Sequence, residues 1–195
     1  MTFDPLSGES RAADNSVREQ PHRLARVTHG IVDWFRTLAS AAVYATLLLT
    51  FVGQIARVDG LSMEPTLADH DRLVVNKWIY RAGEPRPGDI VMLYYPVDPE
   101  KTFVKRVIAR EGDEVRIANG KVYVNGVALH DEFVPPEYRS FDDFGPQVVP
   151  QGYYFVMGDH RNGSSDSRHW GPVPKKYIVG RVQLRWWPPN HARLF

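Results

Sequence analysis

Two segments of this chain carry the side chains that nucleophilic catalysis requires, a hydroxyl and an amine. The hydroxyl belongs to Ser62, in the segment GLSMEPTL at residues 60–67. Pro65 restricts the preceding residue to extended backbone, and Gly60 allows another backbone to approach closely. Ser62 is therefore a candidate nucleophile, although the segment taken alone is more typical of an ordinary turn with a surface serine.

The amine belongs to Lys105, in the segment TFVKRVI at residues 102–108. As a strand, this segment has apolar side chains on both faces, with a cation in the middle of each. Burial of a charge is costly, and desolvation lowers the pKa of a lysine until its neutral amine can act as a general base. The alternative is an edge strand from which the Lys105 and Arg106 side chains reach water. The residues leave both interpretations open.

A serine hydroxyl needs a neighbouring base to become an effective nucleophile. His160 follows Asp159, and His169 lies near Asp166. Neighbours in sequence point in different directions, so this adjacency does not predict a catalytic triad. A serine–lysine dyad is the other known arrangement.

A third segment, MGDHRNGSSDSRHWG at residues 157–171, is rich in hydrogen-bonding side chains and alternates Asp with Arg. One interpretation is a solvated loop that is stabilised by its own turns. The density of opposite charges also suits a braced, partly buried loop beside an active site.

The elements that must position these residues begin with an uncharged run. Residues 37–56 contain no charged side chain, and a helix of this length spans roughly 30 Å, the thickness of the hydrocarbon core of a bilayer. We predict one transmembrane helix over 37–56, a cytoplasmic flexible tail over 1–36 and an extracytoplasmic domain over 57–195. A buried core helix is the alternative, because polar side chains interrupt the run.

The orientation follows from the basic residues that flank this run. Four arginines lie within twenty residues before it and two within twenty residues after it. The positive-inside rule then keeps the N-terminus in the cytoplasm and predicts a single-pass protein of the plasma or inner membrane.

Short runs rich in Val, Ile, Tyr and Phe follow the uncharged run and predict a mainly β domain, a β-sheet or β-barrel. The predicted strands are Arg72–Tyr80, Asp89–Tyr95, Phe103–Arg110, Tyr153–Met157 and Tyr177–Trp187. Two Asn-Gly pairs, at Asn119 and Asn125, predict the tight turns of a β-meander. Residues 129–150 are Pro-rich and acidic, and we interpret them as a surface excursion from the β scaffold.

Composition argues against several classes of function. The 195-residue chain has a formal net charge of +1 and no cysteine. The balanced charge gives no reason to expect a nucleic-acid partner, and a chain without thiols has neither disulfides nor a cysteine nucleophile. The His residues lack a metal-binding spacing and no nucleotide-binding motif occurs, so we expect no metal and no cofactor.

Four segments together resemble the signature boxes of type I signal peptidases (leader peptidases), in that family's order. They are GLSMEPTL, GDIV at 88–91, FVKRVIAREGD at 103–113 and the segment 157–171. The resemblance extends over roughly residues 37–195. It implies a mostly β catalytic domain against the membrane, with Ser62 as the nucleophile, Lys105 as the general base and the Ser62 N–H as part of the oxyanion hole.

The resemblance also implies supporting roles around this dyad. Ser164 matches the family serine that hydrogen-bonds to the lysine and orients it. Met63 is expected to pack beneath the dyad and shield the lysine from water. The other supporting residues are charged residues that brace the site or lie in its loop, namely Asp166, Arg168, Asp159 and Arg161.

Two positions depart from the pattern of the family. Some members carry a serine two residues before the nucleophile, and its hydroxyl completes the oxyanion hole. This chain has Gly60 there, as other members do, so the second donor is left open. His160 stands where the family most often has Asn, and the sequence assigns it no role.

The activity that the resemblance implies is that of a membrane-bound serine endopeptidase. Its substrates are exported preproteins, whose N-terminal signal peptides it removes after small-x-small sites. The peptide is expected to bind as an added strand, and the sequence identifies no substrate-binding residue. Trp186 and Trp187 either contact the lipid interface or pack in the core.

Two alternatives differ in the task of the domain. One is a maturation protease dedicated to a single secreted or conjugative-transfer precursor. The other is a non-catalytic, membrane-anchored β domain that binds exported peptides, and loss of the serine or the lysine would have favoured it.

Overall fold

The computed structural model describes residues 33–46 and 53–195. The chain divides into two units, Met1–Leu47 and Leu48–Phe195. In the first unit residues 33–46 form a helix, α1. Among the described residues, no helix has both the length and the apolar character that crossing a membrane requires. Most of the predicted tail over 1–36 lies outside the described residues.

The second unit consists mainly of β-strands, as predicted. The strands are β1 Gly53–Arg57, β2 Arg72–Asn76, β3 Ile90–Tyr94, β4 Thr102–Arg110, β5 Glu114–Ala118, β6 Lys121–Val124, β7 Val127–Ala128, β8 Phe144–Val148, β9 Tyr153–Met157, β10 Val173–Pro174, β11 Ile178–Trp187 and β12 Arg193–Leu194. The short helices are α2 Ile79–Ala82 and α3 Ser167–Trp170, and 3₁₀ turns lie at Pro136–Tyr138, Arg161–Gly163, Lys175–Tyr177 and Pro189–His191.

The strands form two antiparallel sheets. The larger has the order β1-β2-β11-β3-β4-β9-β10, with β12 paired to β11. The smaller has the order β7-β6-β5-β8. The larger sheet thus contains β1 and β2 from the start of the domain, β3 and β4 from its middle, and β11 from its end. This arrangement brings residues that are distant in sequence to the same region.

The predicted helix over 37–56 is wrong at its C-terminal end. Gly53–Arg57 is a strand, β1, which pairs with β2 from Gly53 opposite Asn76 to Arg57 opposite Arg72. A short uncharged run is compatible with either a helix or a strand, and here pairing with β2 satisfies the backbone groups of β1. The β domain therefore begins before the predicted boundary at residue 57, and residues 47–52 lie outside the described residues.

Side chains at strand ends explain further differences. β2 ends at Asn76 rather than Tyr80, because Asn76 Oδ1 accepts hydrogen bonds from the N–H groups of Trp78 and Ile79, where α2 begins.

The two Asn-Gly turns are confirmed. Asn119 and Asn125 both have a φ of 52°, and they connect β5 to β6 and β6 to β7.

The predicted surface excursion over 129–150 is instead part of the fold. Its β8 pairs with β5, and Asp131 is buried and forms ion pairs with Arg139 and Arg161. Prolines and acidic residues suggested a solvated loop, but tertiary ion pairs neutralise Asp131, and the smaller sheet accepts β8.

A core cluster in the larger sheet supports the segment around Ser62. Met63 and Leu67 are buried in this cluster, and they pack with side chains of the sheet that include Leu73, Val75, Ile90, Met92 and Val182. Burial of side chains of this size stabilises a fold by about 1.5–3 kcal/mol each. Met63 and Leu67, which follow Ser62 in the chain, therefore anchor its segment in the core.

Candidate active site

Backbone hydrogen bonds within the turn that carries Ser62 stabilise it. The N–H of Glu64 donates to the Leu61 carbonyl at 3.0 Å, and the N–H of Leu67 donates to the Met63 carbonyl at 2.9 Å. Met63 is buried, as the resemblance implied, whereas Ser62 is only partly covered. The serine hydroxyl therefore lies at the surface of a packed core, where a substrate can reach it.

Gly60 has a backbone conformation that favours glycine. Its φ is +106°, a region that residues with a Cβ rarely adopt. Its N–H donates to Asp69 Oδ1 at 2.8 Å, and this bond lowers the pKa of the Asp69 carboxyl. A serine at this position would be strained. The Gly60 N–H is also engaged, so it does not supply the second oxyanion donor in this structure.

Lys105 lies in the middle of β4, opposite Val91 of β3. Its side chain is only 2% exposed, and its Nζ donates to Ser62 Oγ at 2.7 Å. The alternative in which Lys105 reaches water from an edge strand is therefore wrong. The serine and the lysine, 43 positions apart in sequence, meet as a nucleophile and a base must.

The environment of Lys105 favours the neutral amine. Burial lowers the pKa of Lys105 from its ordinary value of 10.5 to about 8, the largest of several effects. The Asp166 and Asp159 carboxylates raise this pKa, and the nearby Arg168 guanidinium lowers it. Desolvation thus outweighs the two carboxylates, because each of these already has an arginine partner.

The first of these pairs joins Asp166 to Arg168 in the 157–171 loop. Asp166 is fully buried and accepts from Arg168 Nε and Nη2, both at 2.8 Å, and from the Gly158 N–H at 3.0 Å. Arg168 Nη2 also donates to the Arg161 carbonyl at 2.6 Å. The loop is therefore the braced, partly buried structure that its alternating charges suggested, rather than a wholly solvated one.

A second pair joins the loop to β4. Asp159 is fully buried and accepts from Arg106 Nε at 2.8 Å and Nη2 at 2.6 Å. Arg161 is also buried and donates from Nη1 to Asp131 Oδ2 at 2.8 Å. Removing one member of such a pair leaves an uncompensated buried charge, which typically costs about 3–5 kcal/mol.

Ser164 does not make the contact that the resemblance implies. Its Oγ is buried and has no hydrogen-bond partner among the described residues, whereas Lys105 Nζ bonds to Ser62. Space is tight here, because a Cβ at Gly158 would collide with Ser164 Oγ and with the Ser62 carbonyl oxygen. Ser164 therefore packs beside the Ser62 turn, and Gly158 allows the two segments to meet.

His160 and Tyr138 were missed as neighbours of the candidate nucleophile. The His160 N–H donates to the Ser62 carbonyl at 3.2 Å, and its Nδ1 lies 3.1 Å from the Leu61 carbonyl oxygen. The Tyr138 ring packs edge-on against the imidazole, with ring centroids 4.4 Å apart. Only the position of His160 in a predicted site loop pointed to it, and no sequence signal pointed to Tyr138.

A groove of about 270 Å³ opens beside Ser62. Its lining residues are Gln54, Ala56, Arg57, Val58, Asp59, Ser62, Met63, Met92, Thr102, Phe103 and Val104. Among the described strands, β1 pairs with β2 alone. On β4 the pairing with β9 begins only at Arg106, so residues 102–105 pair with β3 alone. Two strand segments with one unpaired edge each thus line the groove.

One group near the groove has the composition of a metal site. Asp59, Asp69 and His70 bring potential ligand atoms within 4.8 Å of one another. The Arg57 guanidinium lies against the same group, 3.4 Å from Asp59 Oδ1 and 2.8 Å from His70 Nδ1. The Arg57 cation already lies against potential ligand atoms of Asp59 and His70, so the arrangement does not favour a metal ion.

Comparisons with known proteins identify the family to which the chain is similar. The family model described as signal peptidase, peptidase S26, matches residues 31–187. The chain is 41% identical over 161 residues to the probable signal peptidase I-2 of Synechocystis sp., covering 78% of this chain and 72% of that protein. It is 36% identical over 170 residues to signal peptidase I of Leptolyngbya laminosa, covering 82% and 81%. A crystal structure of a signal peptidase I from Enterococcus faecalis V583 aligns with a TM-score of 0.47 and 28% identity, covering 52% of this chain and 98% of that one.

Replacing Lys105 by Met, an uncharged side chain of similar length, is expected to stabilise the fold at pH 7. Because the pKa of Lys105 falls from 10.5 to about 8 on folding, the unfolded chain binds more protons between these pH values. The destabilisation by Lys105 is therefore full below pH 8 and fades as the pH rises toward 10.5. It amounts to about 3 kcal/mol at most. Urea unfolding at several pH values measures the difference.

Lys101→Met serves as the control, because Lys101 is exposed and pairs with Asp98 at 2.9 Å. This variant should show no gain in stability at pH 7. A Lys105→Met protein that is less stable than the wild type at pH 7, or whose advantage does not shrink with rising pH, would contradict a buried, destabilising amine.

Proposed function

Because the chain belongs to the signal peptidase family, peptidase S26, and is therefore a serine endopeptidase, we propose that it removes N-terminal signal peptides from exported preproteins with a Ser62/Lys105 dyad. The observation that carries the proposal is the 2.7 Å contact between Ser62 Oγ and the buried Lys105 Nζ. No cofactor has a role in this mechanism.

The dyad activates the serine when Lys105 is neutral. In the charged form Nζ donates to Ser62 Oγ, and in the neutral form the same contact lets the hydroxyl donate to the nitrogen lone pair. Oγ then attacks the scissile carbonyl as Nζ takes its proton. A pKa of about 8 keeps a useful fraction of the amine neutral near physiological pH without making it too weak a base.

The later steps reuse the same groups. The Ser62 N–H stabilises the negative charge that develops on the carbonyl oxygen. Lys105, now protonated, gives its proton to the leaving amine, and the N-terminus of the mature protein departs. The lysine then activates water, which hydrolyses the acyl-enzyme and regenerates Ser62. Met63, packed below the serine, helps to exclude bulk water from the amine.

The groove supports binding of the substrate as an extended peptide. Its walls, β1 and residues 102–105, each have an unpaired strand edge, and a peptide that lies between them can add hydrogen bonds to both. The lining at Met63 and Met92 is apolar, which suits small uncharged side chains. This arrangement agrees with cleavage after small-x-small sites.

The supporting residues act through the dyad rather than on the substrate. Arg168 and Arg106 neutralise the Asp166 and Asp159 carboxylates, so the loop braces the site without stabilising the protonated lysine strongly. Arg161 connects the loop to Asp131 and thus to the 129–150 segment.

We also propose that the protein is anchored in the cell membrane with this domain on the extracytoplasmic face. The uncharged run that precedes Gly53 is the proposed anchor. Near the groove, Ile55 is 69% exposed and Leu61 52% exposed, which suits contact with a bilayer. Trp187 is 47% exposed, in keeping with a lipid interface, whereas Trp186 is partly buried.

Cleavage of a preprotein with an Ala-x-Ala site tests the proposed function directly. We expect the detergent-solubilised wild type to cut once after that site, and Ser62→Ala and Lys105→Ala to lose at least about 10³-fold in kcat. Circular dichroism confirms that both variants are folded. A panel of several preproteins separates a general signal peptidase from a protease dedicated to one precursor, and an inert wild type that still binds the peptides would support a non-catalytic domain.

The pH dependence of kcat/KM tests the role of Lys105 as the base. Because the neutral amine is the active form, the rate should rise about tenfold per pH unit below the pKa and level off above about 8. A rate that keeps climbing to about pH 10.4, the value for a free lysine, is incompatible with the buried base. The substrate peptide should contain no titrating group, so that its own charge does not change with pH.

Membrane fractionation tests the proposed anchor. The full chain should stay in the membrane pellet after an alkaline wash. Protease added to cells whose plasma or inner membrane is sealed, with any outer membrane removed, should digest the β domain. Ala45→Arg should release the protein, because an arginine at the centre of a span costs about 2.5–3.5 kcal/mol, whereas Ala45→Phe should not. A wild type that is washed off the membrane contradicts the anchor.

A further inference from the structure

His160 contacts both peptide groups that flank Ser62. Its main-chain N–H donates to the Ser62 carbonyl at 3.2 Å, and its imidazole Nδ1 lies 3.1 Å from the Leu61 carbonyl oxygen. A carbonyl oxygen only accepts hydrogen bonds, so Nδ1 must carry the proton. The contact joins positions 99 residues apart, and no catalytic step described above uses it.

The Leu61 carbonyl and the Ser62 N–H belong to the same peptide group. This group is planar and trans, so its N–H points away from its C=O. A donor that holds the Leu61 carbonyl therefore also sets the direction of the Ser62 N–H. A carbonyl that accepts a hydrogen bond is also polarised, which strengthens the N–H of the same group as a donor.

We propose that His160 is a positioning residue, which holds the Leu61–Ser62 peptide group so that the Ser62 N–H faces the oxyanion of the reaction. The inference rests on the proposed function, because the oxyanion arises in peptide cleavage. His160 touches neither the substrate nor the reacting atoms. It acts through the backbone of the nucleophile, and its contribution is made in the transition state.

Two neighbours hold the imidazole in place. Tyr138 packs edge-on against the ring, and its hydroxyl lies 3.5 Å from Glu64 Oε2, on the same turn as Ser62. On another side, a Cβ added at Gly163 would lie 2.8–2.9 Å from the imidazole atoms Nε2, Cδ2 and Cε1. The ring is therefore confined, and a small change at Gly163 is enough to displace it.

The matched pair His160→Asn and His160→Leu tests the role of the donor. Asn Nδ2 and a Leu δ-methyl stand the same number of bonds from Cα as His Nδ1, but only the amide donates a hydrogen bond. Loss of an oxyanion donor lowers kcat by about 10²–10³, and a misdirected donor should cost about 10–100-fold. We expect His160→Leu to lose this much in kcat with KM nearly unchanged, and His160→Asn to recover most of it.

Gly163→Ala provides a second variant that keeps the imidazole and shifts it. The φ of Gly163 lies outside the left-handed region, so an alanine is compatible with the backbone at this position. We expect a fall in kcat in the same direction as for His160→Leu, again without a matching rise in KM.

In the wild type, the nitrogen-15 spectrum of neutral His160 should show the proton on Nδ1.

The possible outcomes separate this inference from the proposed function. If the wild type cleaves and His160→Leu cleaves equally well, or if Asn and Leu lose the same activity, the positioning role is overturned while the function stands. A proton found on Nε2 also overturns it. A wild type that cleaves no preprotein overturns the proposed function, and this inference with it.

Discussion

The short contact between the buried Lys105 amine and the Ser62 hydroxyl is the constraint on which the rest of the site depends. A lysine that is 2% exposed must give up hydration, and the one hydrogen bond that its amine makes within the described part of the chain, to Ser62, does not replace it. In the proposed mechanism this cost has a use, because an amine with a pKa of about 8 can take a proton from a hydroxyl. The arrangement is poor for stability and suited to catalysis.

The charges around this contact are arranged so that they do not cancel the effect of burial. Two buried carboxylates lie close enough to raise the pKa of Lys105, and alone they would favour the ammonium form. Each accepts two hydrogen bonds from an arginine, Asp166 from Arg168 and Asp159 from Arg106. These pairs give the 157–171 loop its rigidity and leave desolvation as the dominant effect on the lysine.

Ser62, the proposed nucleophile, is held from two sides. Below, Met63 and Leu67 anchor the turn in the core of the larger sheet. Above, the loop after β9 approaches so closely at Gly158 that no side chain fits, and His160 reaches both carbonyls around Ser62. Because the turn lies between a packed core and a braced loop, its backbone has little freedom, and a preorganised nucleophile costs little reorganisation during the reaction.

The sequence by itself determined the mainly β class and the two Asn-Gly turns, and it singled out Ser62 and Lys105 as the candidate nucleophile and base, which the structure brings into contact. Each of these rests on local conformational preference or on a compact motif. Tertiary structure alone decided that the uncharged run gives way to a strand at Gly53, where β2 offers a partner. It also decided that Ser164 packs without bonding to Lys105, and that His160 meets the Ser62 turn. These features depend on strand order and loop packing between residues far apart in the chain, which no local pattern encodes.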